Sequence, residues 1–229
     1  MKRYAISCLW APGQLAALGC ALLLAACSSK PPVPDWQMNA QAAASKATEA
    51  YLSGKARVEQ LEWERARAEV ARTGRVDLLA RLELMRCAAQ VASLEVGPCE
   101  RFEALRPDAA APERAYADYL AGRVSPQQLP LLPEAQRKVA AAGEAATLAG
   151  IEDPLSRLVA AGVLFQAGRA SPAVMAAATE TASAQGWRRP LLAWLLLQAQ
   201  RAEAAGDTEA AAALRRRVGM VEQGVAPVK

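Results

Sequence analysis

The chain has 229 residues, a formal net charge of +4 and no histidine. The missing imidazole excludes Ser-His-Asp and Cys-His catalysis, His-containing metal sites and the commonest general acid or base near neutral pH. Ala, Leu, Arg, Glu and Gln, all good helix formers, dominate, and Ile151 is the only isoleucine beyond residue 26. With so few β-branched residues a sheet has little to build its faces from, and an all-α fold is expected.

The chain opens with Lys2 and Arg3, followed by an uncharged apolar run from Leu15 to Leu24. A spanning helix needs about 20 predominantly apolar residues, and Pro12, Gly13 and Gln14 interrupt the stretch that could supply them, so the segment reads as a cleavable signal. Leu24-Ala25-Ala26-Cys27 then places a small-residue approach to a cysteine between the apolar run and a polar spacer. This resembles the lipobox of bacterial lipoproteins. The resemblance implies cleavage before Cys27, a thioether-linked diacylglycerol on its sulfur and an acyl group such as palmitate on its new amine. Ser28 stands where the family's inner-membrane retention signal carries aspartate, which implies the periplasmic face of the outer membrane. The alternative is an ordinary secretory signal, with Cys27 merely the first cysteine beyond it.

On this reading residues 1–26 are a signal peptide and 27–34 a lipidated linker. Residues 35–224 are then a helical repeat-like domain and 225–229 a disordered tail. Removing residues 1–26 leaves 203, enough for one compact domain or an elongated array, and lowers the charge to +2. The basic balance therefore carries no argument for nucleic-acid binding. Pro31, Pro32 and Pro34 bias the linker toward polyproline geometry, about 3.1 Å per residue, which keeps the domain near the lipid surface.

Asp35 reads as the N-cap of a helix to about Leu52 that Gly54 ends. Trp36 at its start either dips into the membrane interface or packs on the first helix pair, and packing is the expectation. From Lys55 to Thr73 the positions Val58, Leu61, Trp63, Ala66 and Val70 form the expected buried stripe of an amphipathic helix. The segment from Val76 to Leu94 repeats the pattern through Leu78, Leu79, Leu82, Met85, Ala89, Val91 and Ala92. Leu52-Ser53-Gly54, with Ala66 twelve residues beyond the glycine, resembles the glycine and small-residue positions of a tetratricopeptide repeat. The family's aromatic positions and closing proline are not matched.

Gly97-Pro98-Cys99 breaks the periodicity, and short helix and turn are expected to Asp108. Pro112 begins a segment carrying Tyr116 and Tyr119, closed by Gly122. Ser125-Pro126-Gln127-Gln128 has the form of a capping box with proline at the first helical position. Leu132-Pro133 starts a helix to about Leu148 with a weak point at Gly143. Asp153-Pro154, Ser171-Pro172, Arg189-Pro190 and Asp207-Thr208 then read as four helix starts 18 residues apart, with Gly168, Gly186 and Gly206 closing three of the units. Two units make a hairpin of about 36 residues, near the period of helical-repeat architectures. Eight or nine antiparallel helices stacked as an α-solenoid, a tetratricopeptide-like superhelix or a compact relative are expected.

Cys87 and Cys99 flank the Gly-Pro turn, and in an oxidising compartment a disulfide is expected, with two free buried thiols as the alternative. Two cysteines without histidine make no metal site, and no cofactor is expected. Glu152-Asp153 reads as a helix start rather than a catalytic carboxylate pair. Helical cell-wall lytic transglycosylases typically carry a Glu-Ser dipeptide and a Gly-Leu-Met-Gln-like stretch, and this sequence has neither. Arg215-Arg216-Arg217 reads as a solvated helix surface. In the turn Gln185-Gly186-Trp187-Arg188-Arg189, interface-favoured residue types meet between two helices. Trp187, Arg188 and Arg189 are therefore the partner-binding candidates, against a Schellman turn with Trp187 as a structural staple. The resulting expectation is a non-enzymatic, membrane-anchored scaffold or assembly factor that binds another envelope protein. A helical peptidoglycan hydrolase and a purely structural lipoprotein are the alternatives.

Overall fold

A computed structural model describes residues 32–142 and 145–223. Cys27, Gly143 and the expected tail lie outside them. The chain divides into a leading unit, Met1–Pro34, and a second unit, Asp35–Lys229, and the architecture below belongs to the second. Among the described residues it is all helix and turn.

The α-helices are α1 Asp35–Leu52, α2 Ala56–Ala71, α3 Val76–Ala92, α4 Glu100–Glu103, α5 Ala111–Leu120, α6 Glu134–Ala142, α7 Ala145–Ala149, α8 Pro154–Gln166, α9 Pro172–Ala184, α10 Arg188–Ala204 and α11 Thr208–Gln223. Short 3-10 turns occupy Arg106–Asp108 and Pro126–Leu131. Local chemistry places most of these ends. Asp153, Ser171 and Asp207 accept the backbone N–H three residues on, at 2.7, 3.3 and 2.9 Å, and so cap α8, α9 and α11. At Ser125 the Gln128 Oε1 accepts the Ser125 N–H at 2.8 Å, but Pro130 two residues on holds the segment to a 3-10 turn.

One expected start is corrected. The third helix of the C-terminal series begins at Arg188 with Trp187 as N-cap, so Pro190 is its third residue, within the first turn, and Arg189 caps nothing. Proline is tolerated in a first turn because that N–H has no intrahelical acceptor. A second correction concerns α2. Leu61 and Val58 are 63% and 37% exposed, and the buried face is Glu62, Trp63, Ala66 and Val70. Leu61 stands about 200° around the helix from Trp63, and the carboxylate of Glu62 is buried because Lys46 meets it at 2.5 Å.

The helices pair as hairpins α1 with α2, α8 with α9, α9 with α10 and α10 with α11, and α3 packs on α1, α2, α5 and α8. The small stripe Ala40, Ala43, Ala44 and Ala47 lets α1 close on α2, where Trp63, Ala66, Val70 and Leu82 complete one cluster. The larger core joins α3 to Phe102, Tyr119, Leu120, α8, α9 and the buried pair Trp194 and Leu195. Every residue of α8 from Leu158 to Leu164 is buried, which marks a helix enclosed on all sides. Gly162 permits that enclosure: a Cβ there would lie 2.2 Å from the Val91 carbonyl oxygen.

Candidate functional site

The turn singled out in the sequence closes on itself and on its neighbours. The Gly186 N–H donates to Ser183 O at 3.1 Å and the Trp187 N–H to Ala182 O at 3.0 Å, with Gly186 at φ +64°. Those are the two bonds of a Schellman turn, which needs a left-handed residue at that position. The Trp187 Nε1–H then donates to Glu49 Oε2 at 2.9 Å on α1, beside the buried cluster of Tyr51, Leu52 and Ala89. Arg189 reaches the same helix. Its Nε donates to Tyr51 O at 2.9 Å, its guanidinium lies 4.2 Å over the Tyr51 ring, and it stands 3.4 Å from Glu95 and 3.9 Å from Glu59. Arg188 turns the other way and donates to the Val221 and Glu222 carbonyls at the end of α11. All three side chains are half-buried and committed within the chain. The turn is a clasp joining α10 to α1 and α11, with the Schellman geometry and the Trp187 staple weighed as the alternative in the sequence.

Cys87 in α3 and Cys99, the N-cap of α4, are joined as a disulfide with their Cα atoms 5.6 Å apart. Both are buried. The helix α3 ends just before, where Leu94 takes the left-handed position at φ +62° and the Glu95 N–H donates to Gln90 O at 2.9 Å. Arg215 pairs with Glu203 at 2.9 Å, while Arg216 and Arg217 face solvent. Asp153 is occupied as the cap of α8.

Two open surfaces remain on the domain. The first is apolar. Trp36, Ala40 and Ala44 of α1, Val70 of α2, and Leu78, Leu82 and Met85 of α3 line a trough of about 350 Å³ with Arg75 and Arg81 beside it. A second depression of about 290 Å³ continues from Arg81 and Met85 to Pro112, Tyr116, Leu131 and Pro133. Met85 is 44% and Leu131 40% exposed. Arg81 is held between the two by Glu113, whose buried carboxylate accepts its Nε–H at 2.5 Å. In the sequence Met85 reads as a core position of α3. It lies outside because α3 turns Leu84, Cys87 and Ala88 toward the main core instead.

The second surface is polar and lies between α2, α3 and α4. Glu59, Trp63, Glu64, Arg67, Arg86 and Arg101 line a cavity of about 310 Å³, and Arg86 and Arg101 also border a neighbouring cavity of about 250 Å³ beside the disulfide. Arg67 meets Glu83 at 2.6 Å and Arg86 lies 3.9 Å from Glu59. Nearby, burial pushes the Tyr51 phenol far above its ordinary range, and the charge of Glu95 adds to the effect. Among the described residues no group of three or more Cys, Asp or Glu is placed to hold a metal ion.

The class these observations define is an all-α domain of packed helical hairpins with two open surfaces. Compared with known proteins, the chain matches no family model, no curated protein and no solved structure.

Proposed function

We propose that this chain is a lipid-anchored envelope lipoprotein, tethered through Cys27 at the periplasmic face of the outer membrane, whose helical domain binds another envelope protein as a scaffold or assembly factor. The tether rests on the lipobox-like Leu24-Ala25-Ala26-Cys27. Among the described residues no helix is long and apolar enough to cross a membrane. The binding role rests on one observation, the apolar trough over α1, α2 and α3. Its lining recurs at Ala40 and Ala44, and at Leu78, Leu82 and Met85, so it is an interhelical groove of the shape that receives the ridge of a third helix. A flexible methionine at the junction of two depressions suits a surface that adapts to an apolar side chain. An amphipathic helix that sets an apolar ridge against Leu78, Leu82 and Met85 is the partner this lining fits.

The architecture belongs to the same reading. Stacked hairpins in the manner of an α-solenoid account for α1 with α2 and for α8 through α11. In an open superhelix each repeat touches only its neighbours. Here α3 also packs on α8 and α10 on α1, which favours the compact relative over the extended array.

Site-specific photocrosslinking in intact envelopes tests the binding role. A photoreactive residue in place of Met85 should give one discrete adduct that the same residue in place of Arg216, on the solvated face of α11, does not. Identical patterns at both positions would remove the trough from the reading. Mass spectrometry of the mature N-terminus tests the tether separately: a triacylated Cys27 is expected, and Cys27→Ala should leave an unlipidated precursor. An unmodified cysteine would sink that half of the proposal.

A further inference from the structure

The apolar cluster of the α1–α2 hairpin, built on the alanine stripe of α1 with Trp63, Ala66 and Val70 of α2, takes from outside the hairpin a single buried residue, Leu82 of α3. The rest of α3 belongs to the main core through Leu84, Ala88 and Val91, and the disulfide ties it to α4. The seam between hairpin and α3 is hollow, with the trough of about 350 Å³ at the Val70 end of α2 and the polar cavity of about 310 Å³ from Ala56 to Arg67. It therefore lacks the close packing of an ordinary interior. The ion pairs that cross it, Arg67 with Glu83 and Arg86 with Glu59, are charged groups that water solvates once they part. Its two ends are fastened differently. At one end the Arg72–Arg75 turn joins α2 to α3, and among the described residues its hydrogen bonds and ion pairs stay between Ala68 and Leu79. Nothing lies within 4 Å of a Cβ built on Gly74. At the other end, about 24 Å away along the 16 residues of α2, Trp187 and Arg189 hold Glu49 and Tyr51 O at 2.9 Å each.

We infer that the α1–α2 hairpin opens from α3 as one unit, with the Arg72–Arg75 turn as its hinge and the Trp187–Arg189 clasp as its latch. Hinges are a few element-terminal residues that absorb the change in backbone angles, and units of this kind open without the rest of a domain. The consequence for binding rests on the docking role proposed for the trough. Ala40, Ala44 and Val70 line it from the hairpin, Leu78 and Met85 from α3, so opening turns one wall against the other. The latch then governs the width offered to a partner helix, although it lies at the far end of the hairpin.

Hydrogen exchange of the purified full chain in detergent, read by mass spectrometry at several urea concentrations below the unfolding transition, tests the opening. A free two-helix hairpin of this size is marginal in water, so its amides exchange whenever it leaves α3. Peptides of α1 and α2 should share one protection factor, about tenfold or more below that of α8. Their exchange should also respond less steeply to urea, because opening the hairpin exposes less surface than unfolding the domain. Trp187→Phe with Arg189→Gln removes the bonds to Glu49 and Tyr51 and should speed exchange in α1 and α2 about tenfold or more. The parent decides alone where that variant does not fold. One protection factor and one urea slope for α1, α2 and α8 overturns the inference, as does α1 exchanging without α2 or an unchanged rate in the folded variant. No partner is present, so these outcomes are independent of the Met85 crosslink that tests docking.

Discussion

Gly162 shows how much of this packing depends on a single absent methyl. Its missing Cβ would stand 2.2 Å from the Val91 oxygen and 2.8 Å from the Val91 carbon, and backbone cannot retreat cheaply. Gly162→Ala is expected to destabilise the fold by about 3 kcal/mol, at the upper end of ordinary overpacking, because α3 and α8 must separate. Gly219 in α11 is the control, with nothing within 4 Å of its virtual Cβ. There alanine should stabilise by about 0.5–1 kcal/mol through helix propensity alone. Paired thermal or denaturant unfolding reads both signs, and equal effects at the two positions would refute the close-approach account. Nothing in the sequence distinguishes these glycines, since each sits in an alanine- or valine-rich helical run and the difference lies in a distant helix. Leu94 is the converse case. A leucine in the left-handed region at the end of α3 breaks the glycine habit of the other closing turns, and only its packing against the core explains its place.

Helix ends were the most legible feature of the chain. Asp153, Ser171 and Asp207, and the glycines at 54, 122, 168, 186 and 206, act through bonds to their own immediate neighbours, so local sequence suffices to find them. Helix faces were less legible, as Leu61 and Glu62 show, because which side of α2 is buried depends on α1 and α3 together. The Trp187 turn combined both situations: its Schellman geometry is local, while its contacts with Glu49 and Tyr51 are not. Arg189→Glu accordingly should not spare the fold. It sets a new carboxylate against Glu59 and Glu95 and removes the cation over Tyr51, for an expected loss of about 2 kcal/mol or more by chemical denaturation. A variant as stable as the parent would show that the clasp contributes little. The Cys87 to Cys99 link acts on a different element, closing a separation of 12 residues between α3 and α4. In the loop-entropy account its removal by paired Cys→Ala substitution costs about 3 kcal/mol. Denaturant midpoints of the parent and the double variant measure it, and an unchanged midpoint would count against that account.

At the scale of the whole molecule, the absence of histidine shapes the response to pH. Among the described residues both cysteines are held in the disulfide, so no side chain of ordinary pKa titrates between the carboxylates and the phenols, and the stability of the domain is expected to be nearly flat from about pH 6 to 9. Tyr51 and Tyr119 are 3% and 1% exposed, and burial pushes both phenols well above their ordinary value. Tyr119 also donates its proton to Gln136 Oε1 at 2.6 Å. An unfolded chain releases these protons near pH 10 whereas the fold retains them, so above that pH the unfolded state binds fewer protons and stability falls as pH rises. Tyrosinate absorbance from these two residues should appear only together with loss of helical circular dichroism. A separate tyrosinate transition for both, with the helices intact, would contradict their burial. At the acid end the sign reverses. The Arg106 guanidinium holds the Glu103 carboxyl below its usual range, so that contribution is present above about pH 4.3 and is lost as pH falls further.

The clasp at Trp187 and Arg189 also sets a timetable. A chain is made from its N-terminus, and the indole and guanidinium that fasten α1 are 138 residues downstream of the atoms they bind. The α1–α2 hairpin can form early from neighbours in sequence, yet the Tyr51 and Leu52 end of α1 is covered only in part, by Ala89 and later Leu155, until Trp187 has emerged. For most of its synthesis the chain therefore carries an unfinished apolar edge on its oldest helix. Completion comes late, and a chain halted before residue 187 would keep its first hairpin but lack the bonds from Trp187 and Arg189 that fasten α1.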